Sequence, residues 1–210
     1  MSKQNKNNPT FDTEKIYWDQ GYKYIAGVDE AGCGCWAGPL VVGAVILPKD
    51  FDVDGIKDSK KLSEKKREKL YGEIMENSIT WGVGKATVEE IDEKSLGKAK
   101  RLATLRAVFS LGIKPDYVLF DGYDQKFEGF EYQSIIKGDQ NVLSIASASI
   151  IAKITRDRII KKLSLEYPQY GFDRNKGYGT REHINSLEKH GVCGIHRRSY
   201  KPIKEFLNKK

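Results

Sequence analysis

Disulfide chemistry and membrane insertion are excluded first, because the sequence has too little of what each requires. Its 210 residues contain three cysteines, Cys33, Cys35 and Cys193, an odd number too small for a disulfide framework in a chain long enough to bury a real core. Reduced thiols are expected. The longest apolar run, Pro39 to Pro48 (PLVVGAVILP), has ten residues, far short of the roughly 20 needed to cross a bilayer. The polar start, MSKQNKNNPTFD, has neither the apolar stretch nor the small-residue cleavage site of a secretory signal, so a cytoplasmic location is the default expectation. Internal repeats and low-complexity segments are lacking as well. The length then fits one globular domain with at most a small appendage.

Acids are in deficit too. Against 36 Lys+Arg stand 29 Asp+Glu, a formal charge of +7. Such a balance suits a polyanionic partner, although lysine-rich compositions also occur in ordinary soluble proteins. Distribution is more telling: Lys57 to Lys69 holds seven basic residues against three acidic, and Gly171 to Lys204 eight against three. The first cluster also reads as a solvated helix face, with Ser63 as cap and an apolar stripe at Leu70, Ile74 and Met75.

Residues 1–10 read as disordered and 11–22 as a short leading helix. YKYIAGVDE and PLVVGAVIL are β-branched and aromatic runs around a Gly-rich turn, hence strand, turn, strand, and SITWGVGKATV fits a third strand. Helical periodicity covers roughly 88–111, YVLF (117–120) and YQSII (132–136) read as two more strands, and a helix spans about 144–165 before Pro168. The remainder, 171–210, is basic and turn-rich with two short helical pieces. Together these elements predict an α/β fold: a five-stranded sheet of mixed direction flanked by helices, with a small C-terminal helical region. The division expected is an extension at 1–22, an α/β core at 23–165 and a basic helical region at 166–210.

Four acids stand at strand ends: Asp29 and Glu30 after YIAGV, Asp121 after YVLF, and Asp139 three residues beyond YQSII. Ligands of open α/β sheets bind beyond the carboxyl ends of strands, so parallel strands would bring these carboxylates to one edge. Two features oppose this. The ten residues from Gly122 to Glu131 are fewer than the dozen a parallel crossover usually needs. Asp29 and Glu30, as strand neighbours, point to opposite faces unless the strand ends or bulges there. A single strand-end Asp is ordinarily satisfied by turn amides or a lysine. Four converging carboxylates would raise one another's pKa and repel a phosphodiester, and hard divalent cations such as Mg²⁺ or Mn²⁺ would relieve both.

GVDEAG (27–32), AGPLVVGAVIL (37–47), DSKKLSEKKR (58–67), VLFDG (118–122), KGD (137–139), SIASASIIAKITRDR (144–158), YPQYGF (167–172), KGYGT (176–180) and HRRSY (196–200) together resemble bacterial ribonuclease HII, in the family's order. The resemblance implies a ribonuclease H-like fold and an endonuclease that cuts the RNA strand of RNA/DNA hybrids and incises at ribonucleotides embedded in duplex DNA, leaving 5′-phosphate and 3′-hydroxyl ends. It implies two Mg²⁺ or Mn²⁺ ions on Asp29, Glu30, Asp121 and Asp139. Tyr178 corresponds to the family's tyrosine against the sugar at the ribose-to-deoxyribose junction, and Gly32, Cys33 and Gly34 to its substrate loop. The loop departs from the pattern: Cys33 stands where the family has arginine and Cys35 where it has proline, and a thiol cannot imitate a guanidinium fork. A monomer is expected. The alternatives are a nucleic-acid-binding homologue with impaired catalysis, or a ribonuclease HIII-like enzyme, whose extra N-terminal domain would not fit into 22 residues.

Lys60 and Lys61 in DSKKLS read as a nucleic-acid-facing loop, or as two solvated lysines. Lys153 is read as lying near substrate, with local pairing to Asp157 as the plainer account. His190, Cys193 and His196 superficially resemble a zinc half-site, but their spacing matches no standard zinc pattern. His183 and His190 read as helix-surface residues.

Overall fold

The computed structural model describes residues 8–122, 127 and 129–208, with Lys61 as backbone only. In chain order the elements are α1 (Asp12–Asp19), β1 (Ile25–Ala31), β2 (Leu40–Ile46), a 3₁₀ turn (Ser59–Lys61), α2 (Glu64–Asn77), β3 (Thr80–Ala86), α3 (Val88–Lys94), α4 (Leu96–Phe109), β4 (Tyr117–Asp121) and β5 (Glu131–Ile135). There follow α5 (Gly138–Asn141), α6 (Leu143–Glu166), a second 3₁₀ turn (Pro168–Tyr170), α7 (Phe172–Asn175), α8 (Arg181–His190) and α9 (Lys201–Leu207).

The five strands form one sheet in the order β3-β2-β1-β4-β5. β1, β4 and β5 are parallel, and β2 and β3 run antiparallel. The three acid-bearing strands therefore end on one edge. The link from β4 to β5 manages the crossover in fewer residues than the usual dozen. Gly122 at φ +98° turns the chain, its N–H donates to the Ile135 carbonyl at 3.0 Å, and Phe127 stacks on Phe120 at 4.5 Å.

Every residue of β2 is buried, because helices cover both faces. α4 packs on one face over Ala26, Val28, Leu40, Val42 and Ala44. On the other lies α6, whose first turns (LSIASASIIA) carry small side chains on the side that meets the sheet. The approach is close: a Cβ on Gly27 would lie 2.2 Å from the Ser144 backbone, and one on Gly43 would lie 2.5 Å from the Ala148 carbonyl. Only glycine fits at either place, and this contact sets the distance from α6 to the Asp29 side chain.

Three expectations need correction. The helix read across 88–111 is two, because Ser95 takes φ +76° between them and Thr87 and Glu90 form a capping box at the start of α3. Disorder does not reach residue 10: the Thr10 N–H donates to the Asn141 carbonyl at 3.1 Å, and the Leu143 N–H donates to Thr10 at 3.0 Å. Residues 1–7 lie outside the described residues. Among the described residues the C-terminal segment contains three helices, not two, packed on the last half of α6 through Ile160, Tyr170, Phe172, Leu187 and Ile203. α6 also borrows its N-terminal cap, since Val142 has no capping side chain. Buried Glu14 of α1 reaches across and accepts from the Ser144 N–H at 2.9 Å.

Candidate active site

The β1–β2 register pairs Asp29 with Gly43, so Asp29 shares the α6 face with Gly27. Its neighbour Glu30 points to the α4 face, and the pairing continues unbroken to Ala31. No bulge rescues a shared direction. Asp121 is the last residue of β4 and, two positions beyond Leu119, faces α6 as well. Asp139 enters on α5, after Lys137 turns the chain at φ +58°. Three aspartates from three elements thus meet: Asp29, Asp121 and Asp139 offer oxygens within 4.8 Å of one another.

Each has its carboxyl held above the ordinary range. For Asp29 the cause is burial first and then the charges of Glu30 and Asp121, which together outweigh hydrogen bonds from Ser149 and the Glu30 N–H. Burial also leads for Asp121, despite bonds from the Asp139 and Gly138 amides. Asp139 is raised by burial, Asp121 and Asp58, against the pull of Lys60. The set is oxygen-only, buried at Asp29 and Asp139 and half-buried at Asp121, and short of positive charge, which is the donor chemistry of a hard divalent cation. Among the described residues it is the single group of this kind.

Glu30 is not in the triad. Lys100 of α4 holds it at 2.8 Å, with both side chains largely buried, and the Cys33 thiol donates to it at 3.3 Å. Burial and the Glu30 charge push that thiol up to about 12. Sequence reasoning missed Lys100. Its signal was present: Lys100, Thr104 and Val108 follow one another at helical spacing, so a charge stands on the stripe that continues into the core. Missed too were Ser59 and Ser149, whose hydroxyls meet at 2.9 Å and link the DSKK loop to Asp29. Lys60 does reach the site, 3.5 Å from Asp139. The side chain of Lys61 lies outside the described residues. Lys153 is not brought to the triad but is tied to Asp157 at 2.8 Å.

Beside the triad, the glycine loop and Tyr178 form a platform. A Cβ on Gly34 would touch the Tyr178 ring at 4.0 Å, Cys35 hydrogen-bonds to the Tyr178 side chain, and the residue is 43% exposed. Two buried arginines staple the loop from behind. Arg156 donates to the carbonyls of Pro39, Lys176 and Ala37 at 3.1, 3.0 and 3.1 Å. Arg197 donates to those of Gly38 and Cys33 at 3.0 and 3.2 Å. Gly32, at φ +100°, leaves room for Arg156, which a Cβ would strike at 2.1 Å.

One of the two helix-surface histidine readings changes, while exposed His190 keeps its place on the surface of α8. His183 is no surface residue: it and His196 are fully buried, with their Nε2 atoms 2.9 Å apart. His196 spends its ring on His183 and Cys193, and His190 stands apart against Tyr170. The zinc spacing gathers no site among the described residues.

The family model for ribonuclease HII matches residues 26–203. The chain belongs to the ribonuclease HII family. The ribonuclease HII of Geobacillus sp. (strain WCH70) is 49% identical over 197 residues, covering 94% of this chain and 71% of the relative. That of Bacillus licheniformis is 50% identical over 185 residues, covering 88% and 72%. Among solved structures, the ribonuclease H2 of Pyrococcus horikoshii OT3 superposes with a TM-score of 0.76 at 29% identity, over 89% of this chain and 98% of that one. Membership makes the protein a ribonuclease H endonuclease, a metal-dependent hydrolase acting on nucleic acid, and the buried aspartates are a donor set for the metal. Among the described residues, no helix is long and apolar enough to cross a membrane.

Proposed function

We propose that Asp29, Asp121 and Asp139, with Glu30 at their margin, hold Mg²⁺ or Mn²⁺, and that the protein cuts RNA/DNA hybrids and incises at ribonucleotides embedded in duplex DNA. The observation that carries this reading is the meeting of three mutually repelling carboxylates, two of them buried and one half-buried, beside an exposed tyrosine. When bound, such cations activate water and stabilise the leaving oxygen of an in-line phosphodiester displacement. The chain's own work is placement. Ser149 fixes the Asp29 carboxylate, and the Gly138 and Asp139 amides fix Asp121. Lys60, mostly exposed, presents an ammonium beside Asp139 where a phosphate would approach.

The RNA backbone differs locally from that of DNA only in its 2′-hydroxyl, so discrimination needs main-chain groups close to the sugar and a flat surface that tests its shape. Gly32, Gly34 and Tyr178 supply both, and Cys33 contributes its main chain while its thiol turns inward to Glu30. Cleavage of end-labelled substrates tests the proposal: a long hybrid and a duplex with one ribonucleotide, each in Mg²⁺, Mn²⁺ or chelator. Both should yield 5′-phosphate and 3′-hydroxyl ends with either metal and neither with chelator. Cutting of the hybrid alone would remove the junction role of Tyr178, and cutting in chelator would remove the metal assignment.

A further inference from the structure

We propose that buried His183, held in one tautomer by His196, is a positioning residue for Tyr178, fixing the main chain that carries the sugar-testing ring. The proposal rests on the role given to Tyr178 above. His183 Nδ1 lies 2.9 Å from the Tyr178 carbonyl oxygen and its Nε2 lies 2.9 Å from His196 Nε2. On the far side, His196 Nδ1 meets the Cys193 N–H at 3.0 Å.

These contacts admit one assignment of protons. A carbonyl only accepts, so His183 Nδ1 carries hydrogen and, in the neutral ring, Nε2 is bare. His196 Nε2 must then donate, which leaves His196 Nδ1 bare to accept from Cys193. Ionising either ring breaks the chain. A second proton on His183 would face the Nε2–H of His196, and one on His196 would face the Cys193 N–H. The environment agrees: burial lowers both histidines, and His196, which also feels His183, falls to about 4. The rings around the pair are those of Trp36, Tyr170 and Phe172, and the titratable neighbours are Glu182, Cys193 and Tyr170.

Tyr178 needs such support because of how it is reached. Lys176 and Gly177 precede it at φ +52° and +82°, two successive left-handed residues, so the chain doubles back just before the ring. The Tyr178 N–H donates to the Asn175 carbonyl at 2.9 Å, and its own carbonyl accepts from the Thr180 N–H at 2.8 Å. The His183 bond fills that carbonyl's second lone pair and anchors the turn to α8.

The test uses the full chain and the ratio of kcat/KM for a single ribonucleotide in duplex DNA to that for a long hybrid. His183→Asn keeps an N–H where Nδ1 sits, whereas His183→Gln places its amide where Nε2 sits and abandons the Tyr178 carbonyl. The ratio should stay within about twofold of the parent in His183→Asn and fall about fivefold in His183→Gln, through KM on the ribonucleotide duplex, the scale of one lost hydrogen bond. In a Tyr178→Ala background His183→Gln should change nothing further. Equal losses in both variants, or a loss that persists without the Tyr178 ring, would overturn the proposal. An unchanged ratio in Tyr178→Ala alone would instead overturn the reading of Tyr178. The pair itself is then judged by imidazole ¹⁵N shifts of the unsubstituted protein at neutral pH: Nδ1–H on His183 and Nε2–H on His196 are required, and the opposite tautomers refute it.

Discussion

At the aspartate triad, three carboxylates are pressed together, and hydrogen bonds to Asp29 and Asp121 do not offset burial and mutual repulsion. At the platform of Gly34 and Tyr178, by contrast, the inward carbonyls are met by donors from Arg156, Arg197 and His183. The first region is electrostatically incomplete and gains stability when opposite charge enters. In the second those carbonyls are satisfied, and what it offers a ligand is a fixed shape. A site that does chemistry through cations and a site that tests a sugar by contact call for these opposite constructions.

The comparison is broken most directly at the triad. Asp29→Asn should cut hydrolysis by more than roughly 100-fold, the upper end of what loss of a mere supporting partner of a metal ligand costs. It should also raise the melting temperature in chelator, because a buried repulsion is removed, and abolish the stabilisation that added Mg²⁺ gives the parent. Unchanged turnover would exclude Asp29 from the site, and a lower melting point in chelator would contradict the claim of incompleteness.

At the platform the expected loss is in stability. Arg156→Met strands three carbonyls, each at a cost of about 1–3 kcal/mol, and urea unfolding should shift by several kcal/mol with the chemistry at the triad spared in the molecules that remain folded. A shift below about 1 kcal/mol would mean that water replaces the guanidinium at those carbonyls and that they do not depend on Arg156.

Ser149→Ala lies between the two regions in size. Its hydroxyl supports Asp29, so hydrolysis should fall roughly 10–100-fold with little change in melting temperature. A silent variant would show that the serine pair is packing alone.

The smallest effect concerns a buried acid outside both regions. Burial raises the Glu14 carboxyl above its ordinary 4.5. Because the folded group titrates above the unfolded one, its neutral form stabilises the fold in acid, and that stabilisation is lost as pH rises through the folded value. Glu14→Gln keeps an acceptor for the Ser144 N–H and should melt slightly higher than the parent at pH 7, the gap closing below about pH 4.5. A gap that widens in acid would refute the sign.

Sequence alone determined which residues were candidates. Alternating and helical apolar spacing located the five strands and the long α6, and the acids at strand ends marked Asp29, Asp121 and Asp139, because local patterning reports which face is buried and where a strand stops. Three things were decided only by the tertiary structure. Parallel pairing of β1, β4 and β5 brought the aspartates together, whereas the β1 register turned Glu30 away to Lys100. The contact of α6 with Gly27 and Gly43 delivered Ser149. Packing of the C-terminal helices buried His183, which the sequence reading takes as a helix-surface residue. The physical reason is common to all three: pattern along a chain fixes the direction of a side chain relative to its own backbone, but its partners are set by distances between elements far apart in sequence.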